Sequence, residues 1–222
     1  NKENYHSFVY FKNDDVNLIV PDNLTERFTH RINAEKKFRQ ITKKLMNRGI
    51  IDINKNIIDL GAWIGDNSLV WAKMINGSVY AIDPSPNNID IIQNIQNINN
   101  VNNIVTIKKP ISNKIESVEV SEGDINHGSF KSSDKGIETE TLDNLYNSKK
   151  INNIGFIHLD VEGFEYKVLE GSQKIISMFR PIIVTESHEG EKEVNPLITK
   201  HGYNVYVIDE VCDANPTCRN SL

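Results

Sequence analysis

Two glycines and a pair of spaced acids carry the first chemical signal in this chain. Asp59, Gly61 and Gly65 form the pattern Asp-x-Gly-x-x-x-Gly, and Asp83 follows twenty-four residues after Asp59. The run Ile57-Ile58-Asp59-Leu60 predicts a short buried strand, and the apolar spacing at Leu69, Val70 and Met74 predicts a helix, so Gly61 to Gly65 is the turn between them. Such a corner suits a ligand, because glycine lets the backbone approach closely and the first turn of a helix leaves its N–H groups unpaired. An acid closing the next strand, Val79 to Ile82, stands at the separation from which a carboxylate accepts hydrogen bonds from ribose hydroxyls. The expected ligand is a nucleoside cofactor; the plainer alternative is a strand-helix turn with incidental glycines.

The glycine spacing narrows the choice. Dinucleotide binding asks for G-x-G-x-x-G, whose middle glycine makes room for a pyrophosphate, and Trp63 occupies that position here. The P-loop ending in Gly-Lys-Ser/Thr is absent as well. S-adenosylmethionine fits what remains, since its sulfonium and amino acid part need carboxylate and backbone contacts and no phosphate cradle.

Composition bounds the partners. A chain of 222 residues with 38% hydrophobic and 25% charged residues is long enough for one sizeable globular core. A net charge of −5 disfavours nucleic acid, and Lys108-Lys109 and Lys149-Lys150 are isolated basic pairs. No apolar run approaches the roughly 18 residues of a membrane span. Position 1 is Asn and no leader pattern follows, which suits a cytoplasmic protein or a piece of a longer multi-domain one. Cys212 and Cys218 lie together in a Pro-containing loop and are read as non-catalytic, and the excess of Asn and Ile as a compositional bias.

The elements that must position the acids follow in order. Ser7–Phe11 and Val16–Val20 flank a turn-rich tetrapeptide and predict a β-hairpin. Asn33 is a plausible N-cap for a helix carrying Ala34, Phe38, Ile41 and Leu45, stopped at Gly49. Prolines 84 and 86 precede a helix from Ile89 to Ile98, and Ile104–Ile107 is the third strand. Ile115–Val120 and Ile137–Thr141 are short strands around a polar stretch, Ser121 to Gly136, read as an excursion over the sheet edge or a lid. A short helix from Thr141 to Tyr146, a strand Gly155–Asp160, a helical segment through Tyr166 to Ile176 and a strand Pro181–Thr185 complete the alternation, with Leu197-Ile198 on a helix and a final strand at Tyr203–Ile208. The expectation is one α/β domain with a doubly wound, mostly parallel sheet: residues 1–50 form an N-terminal hairpin and helix, 51–222 a Rossmann-like core. Asp59, Asp83, Asp160 and Glu186 all fall at carboxyl ends of strands, where ligands collect in such sheets.

Five blocks in this order resemble a known family. Asp59-Leu-Gly-Ala-Trp-Ile-Gly65, Asp83-Pro-Ser-Pro86, Thr141-Leu-Asp143, His158 to Glu165 with Val168 to Gly171, and Arg180 to Val184 with Glu186 look like the blocks of the FkbM-type S-adenosylmethionine-dependent O-methyltransferases, over roughly Asn54 to His188. The departures are Trp63, where the family usually has Asn, and His158, where Lys is common. The resemblance implies a seven-stranded methyltransferase sheet whose last strand is antiparallel. It also implies a cofactor site in which Asp59, Gly61 and Gly65 hold the methionine part, Asp83 the ribose and Ser112 with its neighbours the adenine side, with Ala62, Trp63, Asp66, Ser68 and Pro84 as further cofactor-binding residues.

Methyl transfer to an alcohol needs in-line placement and removal of one proton, because the sulfonium is already activated. Asp160, Glu162 and His188 are the candidate bases, while His30, His127 and His201 are read as ordinary residues. Asp160 with Glu186 could instead hold a divalent cation, a weaker expectation because a hard cation wants more oxygen ligands. The expected acceptor is a sugar or glycan hydroxyl, with His127, Ser129, Ser132 and Ser133 making the excursion polar, and fusion to other glycan-processing domains would suit it. A polyketide-type metabolite is the other acceptor in keeping with the resemblance. Two further readings remain: a non-catalytic nucleoside-binding module, and an NAD-dependent oxidoreductase, the weaker because of the glycine spacing.

Overall fold

A β-hairpin, β1 (Phe8–Lys12) and β2 (Asn17–Pro21), opens the chain and leads through a 3₁₀ turn into helices α1 (Thr25–Ala34) and α2 (Lys36–Asn47). Then β3 (Asn56–Leu60), α3 (Asp66–Ala72), β4 (Val79–Ile82), α4 (Pro86–Ile98) and β5 (Ile104–Ile107) alternate. After β6 (Ser117–Val120), β7 (Phe130–Ser132) and β8 (Ile137–Glu138), the alternation resumes with α5 (Leu142–Asn147), β9 (Ile154–Leu159), α6 (Glu165–Glu170), α7 (Gln173–Phe179), β10 (Ile182–Thr185) and α8 (Val194–Thr199). This computed structural model describes residues 7–12, 17–120, 130–132, 136–161, 163–185 and 194–206.

The main sheet runs β10-β9-β3-β4-β5, and every neighbouring pair is parallel. Its strands are apolar on both faces because helices cover both. Ile57, Val79, Ala81 and Phe156 pack with α2, α3, α4 and the hairpin residues Leu18 and Val20. Ile58, Leu60, Ile82, Ile157 and Leu159 pack with α5, α6, α7 and α8. The chain starts at the central β3, steps outward to β4 and β5, then returns to β9 on the other side. The switch point of the doubly wound sheet therefore lies between β3 and β9, and a ligand crevice opens beyond their carboxyl ends.

Local chemistry starts the helices where the sequence suggests. The Ser85 hydroxyl accepts from the Asn88 N–H with Pro86 at the first helical position, and Thr141 Oγ1 accepts from the Asn144 N–H. Four expectations need correction. The helix expected from Asn33 starts later, as α2; Asn33 lies inside α1, a helix that was not expected, and Glu35, at φ −83° and ψ 2°, separates the two. The helical segment after β9 is two helices, α6 and α7, broken at Gly171, where a Cβ would lie 2.4 Å from the Ser112 carbonyl oxygen. The polar excursion contains a strand of its own, Phe130–Ser132, and β7-β6-β8 form a separate antiparallel sheet. Tyr203–Tyr206 are not in a strand, and the rest of that predicted strand lies outside the described residues, as do Cys212 and Cys218.

The neck of that excursion is closed by backbone hydrogen bonds. Ser112 N–H donates to the Glu140 carbonyl (2.8 Å), Glu140 N–H to Pro110 (2.9 Å) and Thr139 N–H to Glu116 (2.8 Å).

Asparagine side chains tie elements together elsewhere. Asn56 Oδ1 accepts from the Ser78 N–H at 2.8 Å, and Asn103 Nδ2 donates to the carbonyls of Ala72 and Gly77 at 2.8 and 2.9 Å. Asn99, capping α4, behaves like a strand neighbour for β2: its Oδ1 accepts from the Ile19 N–H (2.7 Å) and its Nδ2 donates to the Ile19 carbonyl (2.8 Å). Asn99→Leu leaves those two part-buried backbone groups unpaired, so denaturant unfolding is expected to show a loss of about 1–3 kcal/mol with an unchanged m value.

Candidate functional site

The sheet register brings two of the predicted acids, Asp83 and Asp160, to one line. Leu60 pairs with Ile82 and Leu159, Ile82 with Ile107, and Leu159 with Thr185. The next residue of each strand is Gly61, Asp83, Asp160, Lys108 or Glu186, and Glu186 lies outside the described residues.

The turn after β3 is tight. Gly61 and Ala62 both donate their N–H to the Ile82 carbonyl (3.0 and 3.1 Å), and Gly65 N–H closes onto Ala62 (2.7 Å). Gly61, Trp63 and Gly65 have φ of 78°, 45° and 82°, which only glycine adopts without cost. At Gly61 a second constraint applies, since a Cβ there would fall 1.8 Å from the Asp160 carbonyl oxygen. The backbone at the end of β9 thus rests directly on the cofactor turn, and Asp160 N–H in turn donates to the Leu60 carbonyl at 3.0 Å.

Asp83 is almost fully buried. Its Oδ2 accepts from the Trp63 N–H (3.0 Å), and its Oδ1 from the Ser85 N–H (2.8 Å) and Asn88 Nδ2 (3.1 Å). Burial pushes its carboxyl up to about 6; the three hydrogen bonds oppose that shift and the nearby Asp59 adds to it. Asn88, in the first turn of α4, was not legible as a site residue, though a polar residue five places after the acid is the signal that could have found it.

Asp59, Ser68 and His158 meet beneath the turn. Ser68 Oγ donates to Asp59 Oδ2 at 2.5 Å, and His158 Nδ1 lies 2.9 Å from Asp59 Oδ1. The imidazole stacks on Phe38 at 5.2 Å between ring centroids and meets Trp71 edge-on at 5.3 Å. Burial works against its charged form, but the Asp59 hydrogen bond and charge, with Asp160 and Glu35 adding, raise its pKa above the ordinary value.

The other expected residues fall around this frame. Ala62, Asp66 and Ser112 are buried, and Pro84 is half-buried. Asp160 is half-buried at the switch point, where the buried Glu165 closes the following turn by accepting the Val161 N–H at 3.3 Å. Glu162 and His188 lie outside the described residues. Asn67 Oδ1, one residue into α3, is buried with no hydrogen-bond partner. Among the described residues no group of three or more His, Cys, Asp or Glu could hold a metal ion, and no helix is long and apolar enough to cross a membrane.

A doubly wound parallel sheet with a glycine turn after its central strand and an acid after the next has the architecture of the Rossmann-like, S-adenosylmethionine-dependent methyltransferases. The Methyltransferase FkbM domain matches residues 59–205, and the chain belongs to that family. Its fold is similar to a methyltransferase FkbM from Methylobacillus flagellatus, with 19% identity, a TM-score of 0.50 and coverage of 67% of this chain and 37% of that one. It is similar also to a precorrin-6y C5,15-methyltransferase from Geobacter metallireducens, with 12% identity, a TM-score of 0.50 and coverage of 78% and 73%. The chain thus spans little more than a third of the length of the Methylobacillus protein. Among curated proteins, no sequence matches it.

The residues present fit S-adenosylmethionine. The turn is open only to glycine at two points, Asp83 is a buried acid whose carboxylate form added hydroxyl donors would favour, and Asn67 Oδ1 is an open acceptor at the head of α3.

Proposed function

We propose that this protein transfers the methyl group of S-adenosylmethionine to a hydroxyl of a sugar or glycan. The observation that carries the reading is the convergence of the glycine turn, Asp83 and Asp160 at the switch point of the sheet. The turn and Asp83 would hold the cofactor through backbone N–H groups and ribose hydroxyls, with Ser112 toward the adenine. The cofactor supplies an activated methyl, so this chain's part is to place the acceptor oxygen in line and take its proton. Asp160 is the leading base. Oxygen as the acceptor atom and a sugar as its bearer rest on the polar excursion around Ser132 and on the family resemblance, with a polyketide-type hydroxyl as the other candidate. Labelled S-adenosylmethionine supplied with a panel of glycans and small hydroxylated metabolites tests the proposal; label on nitrogen or carbon acceptors alone would overturn the oxygen assignment.

A binding module without turnover is the alternative reading, favoured if the Trp63 indole fills the place of the cofactor's methionine part. Tight S-adenosylhomocysteine binding with no transfer to any acceptor would support that alternative.

Asp83 makes binding pH-dependent. Its carboxyl, raised from 3.8 to about 6, stays protonated in the folded protein where an unfolded chain has already ionised it. The native state binds more protons in that interval, so the contribution of Asp83 to stability is present below pH 3.8 and lost as pH rises through about 6. Ribose hydroxyls donate to the ionised form, so cofactor affinity should move the opposite way. By calorimetry, S-adenosylhomocysteine is expected to bind about tenfold more weakly at pH 5 than at pH 8. Asp83→Asn should flatten that profile, and Asp83→Ala should cost about 1.5–3 kcal/mol of affinity at neutral pH. A flat wild-type profile would remove Asp83 from the ribose site.

A further inference from the structure

Asp59 occupies the fourth place of the five-residue β3, and the register sets it beside Ala81 and His158 on the face that α3 covers. It is 1% exposed, with Ser68 on one oxygen and His158 on the other. So enclosed, it presents little of itself to a ligand beyond the strand ends. What it does is join β3, α3 and β9, the three elements bordering the turn from Gly61 to Gly65. A carboxylate only accepts hydrogen bonds, so at 2.9 Å the His158 Nδ1 must carry the hydrogen. Phe38 and Trp71 fix the plane of the ring that aims it.

We propose that His158 is a positioning residue for cofactor binding: its Nδ1–H bond holds Asp59 in the orientation that grips Ser68, and thereby fixes the head of α3 and the glycine turn. The inference rests on the cofactor reading above. It assigns to a strand residue ninety-nine positions from Asp59 an effect on affinity that involves no contact with the ligand. It also gives the N-terminal region a part in the site, because Phe38 of α2 forms one wall of the ring's slot.

Two variants separate the hydrogen bond from packing. In His158→Asn the side-chain amide sits about where Nδ1 sits; in His158→Gln it reaches instead toward the place of Nε2, and both lose the ring contacts with Phe38 and Trp71. Calorimetric titration with S-adenosylhomocysteine and thermal unfolding without ligand are measured on each. Similar losses of thermal stability are expected for the two, with affinity within about threefold of wild type for Asn and weakened about 10- to 100-fold for Gln. Equal affinities in Asn and Gln would overturn the proposal. Should either variant fail to fold, Ser68→Ala cuts the same linkage with no ring lost; a weakening of about tenfold or more sustains the proposal, and wild-type affinity overturns it. Wild-type protein that binds no S-adenosylhomocysteine removes the cofactor reading itself, and this inference with it.

Discussion

Asp160→Ala is expected to lower methyl-transfer turnover by about 100- to 10,000-fold while leaving S-adenosylhomocysteine affinity unchanged. A neutral alcohol is a poor nucleophile, and a base acts only if it is held within reach of the proton it takes. Asp160 is so held. Its N–H is fixed to the Leu60 carbonyl, its own carbonyl rests against Gly61, and Glu165 pins the next N–H. A cation held by Asp160 and Glu186 makes the opposite forecast: chelators abolish turnover, and magnesium or manganese restores it. Direct proton removal predicts indifference to chelators, and we expect that result. Full activity in both Asp160→Ala and His188→Ala, with or without chelator, would leave placement of the acceptor as the main source of rate.

Among the described glycines, Gly61 should be the one where an added methyl group does most damage. A left-handed φ costs an L-residue about 1–2 kcal/mol by itself. The larger penalty is steric, because a Cβ 1.8 Å from the Asp160 carbonyl oxygen overlaps backbone and not the yielding end of a side chain. Both partners are tethered, Gly61 to Ile82 and Asp160 to Leu60, so relief must break one of these bonds. Loss of measurable cofactor binding is expected, with stability lower by about 3–5 kcal/mol. Gly65→Ala is the control. Its φ is also positive, but its Cβ would meet the Ile92 side chain at 3.0 Å, and a side chain can shift. A loss of about 1–2 kcal/mol is expected there. Should denaturant melts and calorimetry rank Gly65→Ala as the worse of the two, the contact between the turn and β9 would not be the controlling constraint.

The strands were the most legible part of this chain. β4 coincides with its apolar run, because a strand covered on both faces must be apolar at every position, and such runs are short and sharply bounded. Asp83 was legible for the same reason, as the first charge after one of them. The boundary between α1 and α2 was not: among the described side chains of α1 only Phe28 is buried, so no stripe marks it in the sequence. Nor could the sequence show that Asp59 meets His158, since that pairing depends on β9 crossing back to lie beside β3. The asparagines mislead in another way. Read as composition they look like bias, yet Asn56, Asn99 and Asn103 each hold a particular pair of backbone groups, a role visible only once the elements meet.

The closed neck at Pro110–Ser112 and Thr139–Glu140 bears on how such an enzyme can change. Whatever the intervening chain does, its two ends leave and rejoin the core at one place. Lengthening a loop closed in this way costs only about 0.6 kcal/mol for each doubling. That segment can therefore diverge by insertion, deletion or outright replacement, while the turn at Gly61, wedged against β9, tolerates almost no substitution. Under the proposal that this excursion meets the acceptor, selection for a new one would work on length there and on single atoms at the turn, and a chimaera joined at residues 112 and 139 would inherit its chemistry from the core and its taste in acceptors from the graft.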